Sequence, residues 1–197
     1  MKERFLYMVH NNKILKISLQ AVFVLFIFAG AFYLADVAKE DEIVRAVVAQ
    51  YGYFGIFVAA FVSGLNFIVP VPAVAFFPLF LEVGLGYWAT ILLIVVGVTC
   101  ADMVAYFLGR VGYNVLTRVP NNKTLLRLVA LGEKYHWAPL GVLFLFASFA
   151  PMPNELLLVP MGFLGYRFRH IFPVVFAGNF VFNTLYSTGV LSIFQFF

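Results

Sequence analysis

Two stretches of this chain are apolar enough to enter a bilayer, yet each is broken near its centre by two prolines with one residue between them. That interruption limits the fold more than any other feature. The stretches are residues 51–86, broken at Pro70-Val71-Pro72, and 137–165, broken at Pro151-Met152-Pro153. Proline lacks a backbone N–H and its ring strikes the preceding helical turn, so such a pair ends a helix. Each flank of the first stretch then holds roughly 13 to 18 residues, short of the ~20 that a hydrocarbon crossing needs. The pattern predicts re-entrant hairpins that enter from one face, turn at the prolines and leave by the same face. Irregular backbone at that depth must be enclosed by protein or line a wet cavity.

Three other runs, 14–34, 87–109 and 172–194, are unbroken and long enough to span. With 63% of its 197 residues apolar and 11% charged, the chain cannot cover a globular surface in water. A cleaved secretory signal is the rival reading of the first run, with a small-x-small site at Ala29-Gly30-Ala31. The sixteen-residue basic lead and long core favour an uncleaved anchor. Of the 13 Lys and Arg, 11 fall in three clusters: Lys2, Arg4, Lys13 and Lys16; Arg110, Arg118, Lys123, Arg127 and Lys134; and Arg167 with Arg169. Positive residues stay cytoplasmic, so these clusters share one side and the acidic stretch 36–42 faces the other. Residues 36–50 are expected at the outer surface, and 124–130 as an amphipathic helix within the basic linker. The N-terminus is expected inside and the C-terminus outside.

Adding 81 to a position in the first unit finds its counterpart in the second. Pro70 meets Pro151, Pro72 meets Pro153, Gly84 meets Gly165, Gly97 meets Gly178, and Asp102 meets Asn183. These matches fall at breaks and packing positions, where a merely greasy sequence would not produce them. One hairpin and one crossing per unit is an odd number of crossings, which inverts the second copy. The fold class read from the sequence is therefore an all-α integral membrane protein. It is built as an inverted repeat of re-entrant hairpin plus transmembrane helix, with an extra N-terminal transmembrane helix. Residues 1–50 form the basic segment, anchor and surface segment. Residues 51–112 are repeat one, 113–134 a linker, and 135–197 repeat two. In transporters this arrangement places the binding site near the midplane, between the repeats. A purely structural duplication is the alternative.

The polar residues inside the runs are the candidates for chemistry. The half-helix after each proline pair begins near mid-membrane with free N–H groups, an end that favours anions such as phosphate. Asn154 and Glu155 occupy that turn in the second unit, and Glu155 reads either as a helix cap or as a proton-titratable group at depth. Thr99, Asp102, Tyr106 and Arg110 recur at helical spacing and form a polar lane. Asp102 is expected to function rather than only to bond a neighbouring helix. Beside the lane Gly97, Ala101, Ala105 and Gly109 make a small-residue ladder for close helix contact, as Gly178 does on the last span. Glu82 lies near the outer end of the first hairpin, within reach of interfacial water. Asn179 and Asn183 are four apart and read as amide links between helices. Arg167 and Arg169 anchor topology and are placed to gather anionic headgroups. Cys100, the single cysteine, reads as a packing residue. His10, His136 and His170 form no ligand cluster, and Ser63 and Ser148 have no histidine at a matching depth. No nucleophile set, metal spacing or phosphate loop is present, so the expectation is not an enzyme, with no cofactor, no metal and no nucleic-acid partner.

The stretch Gly97, Asp102, Tyr106, Gly109-Arg110 and Gly112 resembles the G-x-x-x-x-D-x-x-x-Y-x-x-G-R-x-G segment of the DedA family, also called the SNARE-associated or VTT-domain family. The proline hairpins and a last span with Gly178 and Asn183 fit as well, so the resemblance covers residues 51–189. It implies two opposed re-entrant hairpins and movement of lipids, including polyprenyl-phosphate carriers, coupled in some members to proton or sodium gradients. Many bacterial members carry acidic residues about the first tip, where this chain has Ser63 or Gly64 and Ala73. They carry two arginines about the second tip, where it has Ser148 and Asn154. The resemblance is therefore to a divergent branch.

The expected function is translocation of a phospholipid or lipid-linked phosphate between leaflets, flippase- or scramblase-like, in a prokaryotic cytoplasmic membrane. Membrane lipids, anionic ones and polyprenyl phosphates among them, are the expected partners, with protons or sodium as coupling ions and an oligomer allowed. Pro70, Pro72, Pro151 and Pro153 would form the tips. Asp102, Glu155, Asn154, Tyr106, Arg110, Glu82 and Asn183 would line the path. A small-ion or metabolite carrier and a non-transporting membrane scaffold are the alternatives.

Overall fold

The structure, a computed structural model, describes residues 13–65, 73–115 and 137–196. Among them every regular element is a helix: α1 (Lys13–Glu40), α2 (Glu42–Gly64), a 3-10 turn (Ala73–Phe76) leading into α3 (Phe77–Glu82), α4 (Tyr87–Val115), α5 (Ala138–Phe149), α6 (Glu155–Phe163) and α7 (Phe168–Phe196). Two helices are long and apolar enough to cross a membrane, α4 over Tyr87–Gly112 and α7 over Phe168–Phe196. Only 33% of the apolar window of α7 is buried by the rest of the protein. Phe107, Leu108 and Val111 on α4 and Leu185 and Ile193 on α7 likewise face outward. An exterior of this kind needs a covering other than water.

Local chemistry sets the boundaries. The sole break between α1 and α2 is Asp41, whose Oδ1 accepts the Ile43 N–H at 2.8 Å and caps the new helix. As a result α2 begins at Glu42 and runs through the 50/51 boundary drawn from the sequence. Residues 42–50 are thus helical and continuous with residues 51–64. Pro78 and Pro139 lie in the first turns of α3 and α5, where the missing N–H has no partner to lose. Ala150 is extended, at φ −85 and ψ 121, because the ring of Pro151 disfavours helical geometry in the residue before it. Pro151 and Pro153 thus separate α5 from α6. Pro70 and Pro72 lie outside the described residues, as do most of the 113–134 linker and the 124–130 helix expected within it.

The helix directions follow from which residues touch. A Cβ on Gly52 would meet Leu85, one on Gly97 would meet Phe57 and Ala60, and one on Gly64 would meet Val98 and Ala101. Contacts therefore rise together along α2 and α4, and the two run parallel. The rings of Trp137 and His170 lie 5.5 Å apart, and Gly178 lies against Phe144 and Ala147, so α5 and α7 are also parallel. In contrast α4 and α7 are antiparallel, with Tyr87 beside Thr188 and Tyr106 beside Phe168. The pair α5–α6 sets out beside the start of α7, turns at 150–153 and returns to the start of α7.

The turns that end α3 and α6 have one geometry. Gly84 has φ +90 and Gly165 φ +75, the only positive values among the described residues. Leu85 N–H reaches Phe80 O at 3.0 Å and Tyr166 N–H reaches Met161 O at 3.1 Å. Gly84 N–H reaches Leu81 O at 2.9 Å and Gly165 N–H reaches Gly162 O at 3.0 Å. This is the left-handed glycine stop that satisfies the last carbonyls of a helix, and every donor and acceptor in one turn is 81 residues from its equivalent in the other.

Buried hydrocarbon forms two cores. One gathers Ala38, Ile56, Phe77, Ile91 and Val95, and the other Met103, Tyr106, Leu143, Leu158 and Ile171. Along α4 the first core stops at Val95 and the second starts at Met103. The residues between them carry the site.

Candidate functional site

Asp102 is the sixteenth of the 29 residues of α4, midway along the helix and 1% exposed. Its Oδ2 accepts two amide hydrogens, from Asn154 Nδ2 at 2.9 Å and from Asn179 Nδ2 at 2.7 Å. Asn154 Nδ2 also donates to Asn179 Oδ1 at 3.1 Å, and Asn179 Nδ2 to Thr99 Oγ1 at 3.0 Å. Both amide nitrogens thus have both of their hydrogens engaged. Asn183 Nδ2 donates to the Asn179 carbonyl at 2.8 Å, which adds a further buried amide on the same face of α7. One carboxylate ties together α4, α7 and the residue that opens α6.

The sequence explains how Asn154 reaches this point. Pro151 and Pro153 hold 150–153 out of helix, so α6 starts at half the depth of α4. Asn154 is its N-cap residue but makes no side-chain cap bond; the amide reaches across to Asp102 instead. Glu155, next in line and 6% exposed, lies within electrostatic reach of Asp102. Carboxyls and amides at this depth are costly unless each polar atom has a partner.

A second polar station lies nearer the basic end. Tyr106 Oη donates to the Tyr166 carbonyl at 2.6 Å, and Arg110 Nη1 donates to that carbonyl at 3.1 Å and to Tyr106 Oη at 3.2 Å. The carbonyl belongs to the residue just after the Gly165 turn, so Tyr106 and Arg110 latch that turn to α4. Desolvation holds the partly buried Tyr166 phenol above its usual pKa.

The structure therefore brings together Asp102, Asn154 and Glu155, with Asn183 bonded behind them. It assigns Tyr106 and Arg110 to a separate latch and leaves Glu82 at the far end of the molecule, beside the Gly84 turn. Of the ladder residues, Gly97 and Ala101 face α2. Gly109 faces α6, where a Cβ would overlap the backbone of Val159, and Gly162 packs back on Tyr106 in the same way. Asn179 is the residue that sequence reasoning undervalued: read as a link between helices, it holds three of the bonds in the cluster. Ser187 was passed over, and Ser148 was read only as a serine without a matching histidine and as standing where many DedA members carry an arginine. Each is buried with no hydrogen-bond partner for its Oγ. Extending the four-residue step from Asn179 through Asn183 would have found Ser187. Among the described residues no group of three His, Cys, Asp or Glu side chains is placed to hold a metal.

Comparison with models of known families, with curated proteins and with solved structures gave no match to this chain.

Proposed function

We propose that this protein is a multi-pass membrane transporter of the DedA type that moves a phospholipid or lipid-linked phosphate between leaflets, with proton binding coupled to passage. The observation that carries the reading is the buried carboxylate of Asp102, halfway along α4, held by one amide from α7 and one from the non-helical tip before α6. Intramembrane carboxylates are expensive and usually mark a substrate or ion path. Broken helices that meet at half depth are the usual frame for such sites.

In this reading α1, α4 and α7 cross the bilayer, while α2–α3 and α5–α6 are opposed re-entrant hairpins forming an inverted repeat. The parallel course of α2 with α4 and of α5 with α7 supports it, as do the paired glycine stops 81 residues apart. Charge supports it too. Asp36, Glu40, Asp41, Glu42 and Glu82 gather at one end of the bundle, and Arg110, Arg167 and Arg169 at the other. The mechanism follows from Coulomb repulsion. An ionised carboxylate at the tip repels a passing phosphate, and a bound proton removes that repulsion, so a headgroup moves when the proton is aboard.

The test is leaflet exchange of a labelled phospholipid in liposomes containing the purified protein, with and without a pH gradient. The wild-type protein is expected to accelerate exchange in a gradient-dependent way, and Asp102→Asn and Glu155→Gln, neutral at every pH, each to weaken that dependence on the gradient. Exchange at the protein-free rate would reject the reading, and an unchanged gradient dependence in both variants would remove these two residues from the path. A small-cation carrier is the second reading. It is favoured by the cluster around Asp102, where uncharged amides and a hydroxyl surround the carboxylate. Cation uptake without lipid movement would select it.

A further inference from the structure

Between α5 and α7 lies a groove of about 500 Å³ that the central site does not use. Its walls are Gly141 and Phe144 from α5 and Pro173 and Ala177 from α7, and its mouth is formed by Trp137, Arg169 and His170. We infer that this groove binds one anionic phospholipid, an acyl chain lying along the apolar walls and the phosphate held at the mouth by the Arg169 guanidinium. The inference rests on the membrane reading above and adds to it a specific lipid site at the basic end.

Four observations converge on that occupant. The walls are hydrocarbon and the polar groups lie only at the mouth, which is the division a lipid has. The groove runs inward for seven residues of α5, about 10 Å at the helical rise. Gly141 leaves it open, since a Cβ there would meet nothing within 4 Å. Arg169 and neighbouring Arg167 are exposed, and no acidic residue among those described lies at this end. The acids stand at the opposite end or, as Asp102 and Glu155, at mid-depth. Trp137 is 63% exposed and lies against His170 at the mouth, the position that indoles favour at headgroup level. Basic pockets between membrane helices on the positive side are suited to anionic headgroups. A soluble metabolite would waste the apolar wall, and a neutral lipid would leave Arg169 without a counter-charge.

The chain has two tryptophans, Trp88 and Trp137, and Trp88 starts α4 at the acidic end. A Trp88→Phe protein therefore reports on the groove mouth alone, and a Trp137→Phe protein reports on the opposite end. Each is reconstituted in phosphatidylcholine vesicles containing a small fraction of phospholipid with brominated acyl chains. The brominated lipid is phosphatidylglycerol in one series and phosphatidylcholine in the other. Bromine quenches indole on contact. Trp137 is expected to report the anionic lipid at about fivefold its bulk share, the enrichment that one basic side chain near an anionic lipid supplies. Arg169→Gln should return it to the phosphatidylcholine value. Gly141→Leu, which fills open space, should lower quenching by the brominated anionic lipid. Trp88 should be quenched alike by both lipids.

Equal quenching of Trp137 by both lipids overturns the site, as does an enrichment that survives Arg169→Gln. If neither lipid quenches Trp88, the protein is not inserted, and the membrane reading fails together with this one. Failure of lipid exchange with enrichment intact would sink only the transport proposal.

Discussion

Asn179 shows how one side chain can hold a site without being its reactive group. It donates to Asp102 and Thr99 and accepts from Asn154. Asn179→Leu would fill similar space while leaving the Asp102 carboxylate and the Asn154 amide each short of a partner. Each buried polar group stranded in this way costs about 1 to 3 kcal/mol. The variant should therefore unfold at lower denaturant or temperature in detergent micelles, and by more than Asn183→Leu, which removes one bond. Equal losses would mean that the cluster is not cooperative. Sequence alone exposed Asp102 because an acid in an apolar run stands out. It did not expose Asn179, because an amide there has the same local signature whether it links two helices or organises three. Only the arrival of Asn154, delivered by the bend at Pro151 and Pro153, distinguishes the two.

Among the elements, glycine separates contacts that matter from those that do not. Gly84 and Gly165 adopt left-handed backbone, which costs any other residue roughly 1 to 2 kcal/mol. Gly84→Ala and Gly165→Ala should each destabilise by that amount, and by like amounts if the turns are equivalent. Gly109→Ala should do more harm, because the added methyl group meets the backbone of α6 rather than a side chain that can move. Gly55→Ala, within α2 and with open space beyond its Cα, should stabilise by about 0.5 to 1 kcal/mol. Thermal unfolding of the four variants in one detergent tests the ranking. A loss in Gly55→Ala as large as in Gly109→Ala would refute the packing described. The turn pair was legible in the sequence because a glycine stop is a local backbone requirement. The starting point of α2 was not, since Asp41 resembles any other member of an acidic run until its capping bond is seen.

For the whole molecule, the decisive quantity is which side each loop faces. In a Cys100→Ala background, single cysteines at Asp41 and Gly86 should be modified by an impermeant maleimide from one face of the membrane. Cysteines at Trp137 and Arg167 should be modified from the other. Labelling of Trp137 and Arg167 positions from opposite faces would make α5–α6 a crossing element and end the hairpin reading. At this scale the all-helical class was legible, because long apolar runs and proline spacing survive in the sequence. Which helix touches which did not, since in a chain so rich in Phe, Leu and Val nearly every face of every helix is apolar.

The interval on α4 between Val95 and Met103 has a mechanical meaning. There α4 presses Gly97 and Ala101 against α2 on one side and offers Thr99 and Asp102 to α7 and Asn154 on another, so the waist is fixed twice, by close backbone approach and by directional bonds. A change that released the carboxylate would still leave α2 and α4 clasped.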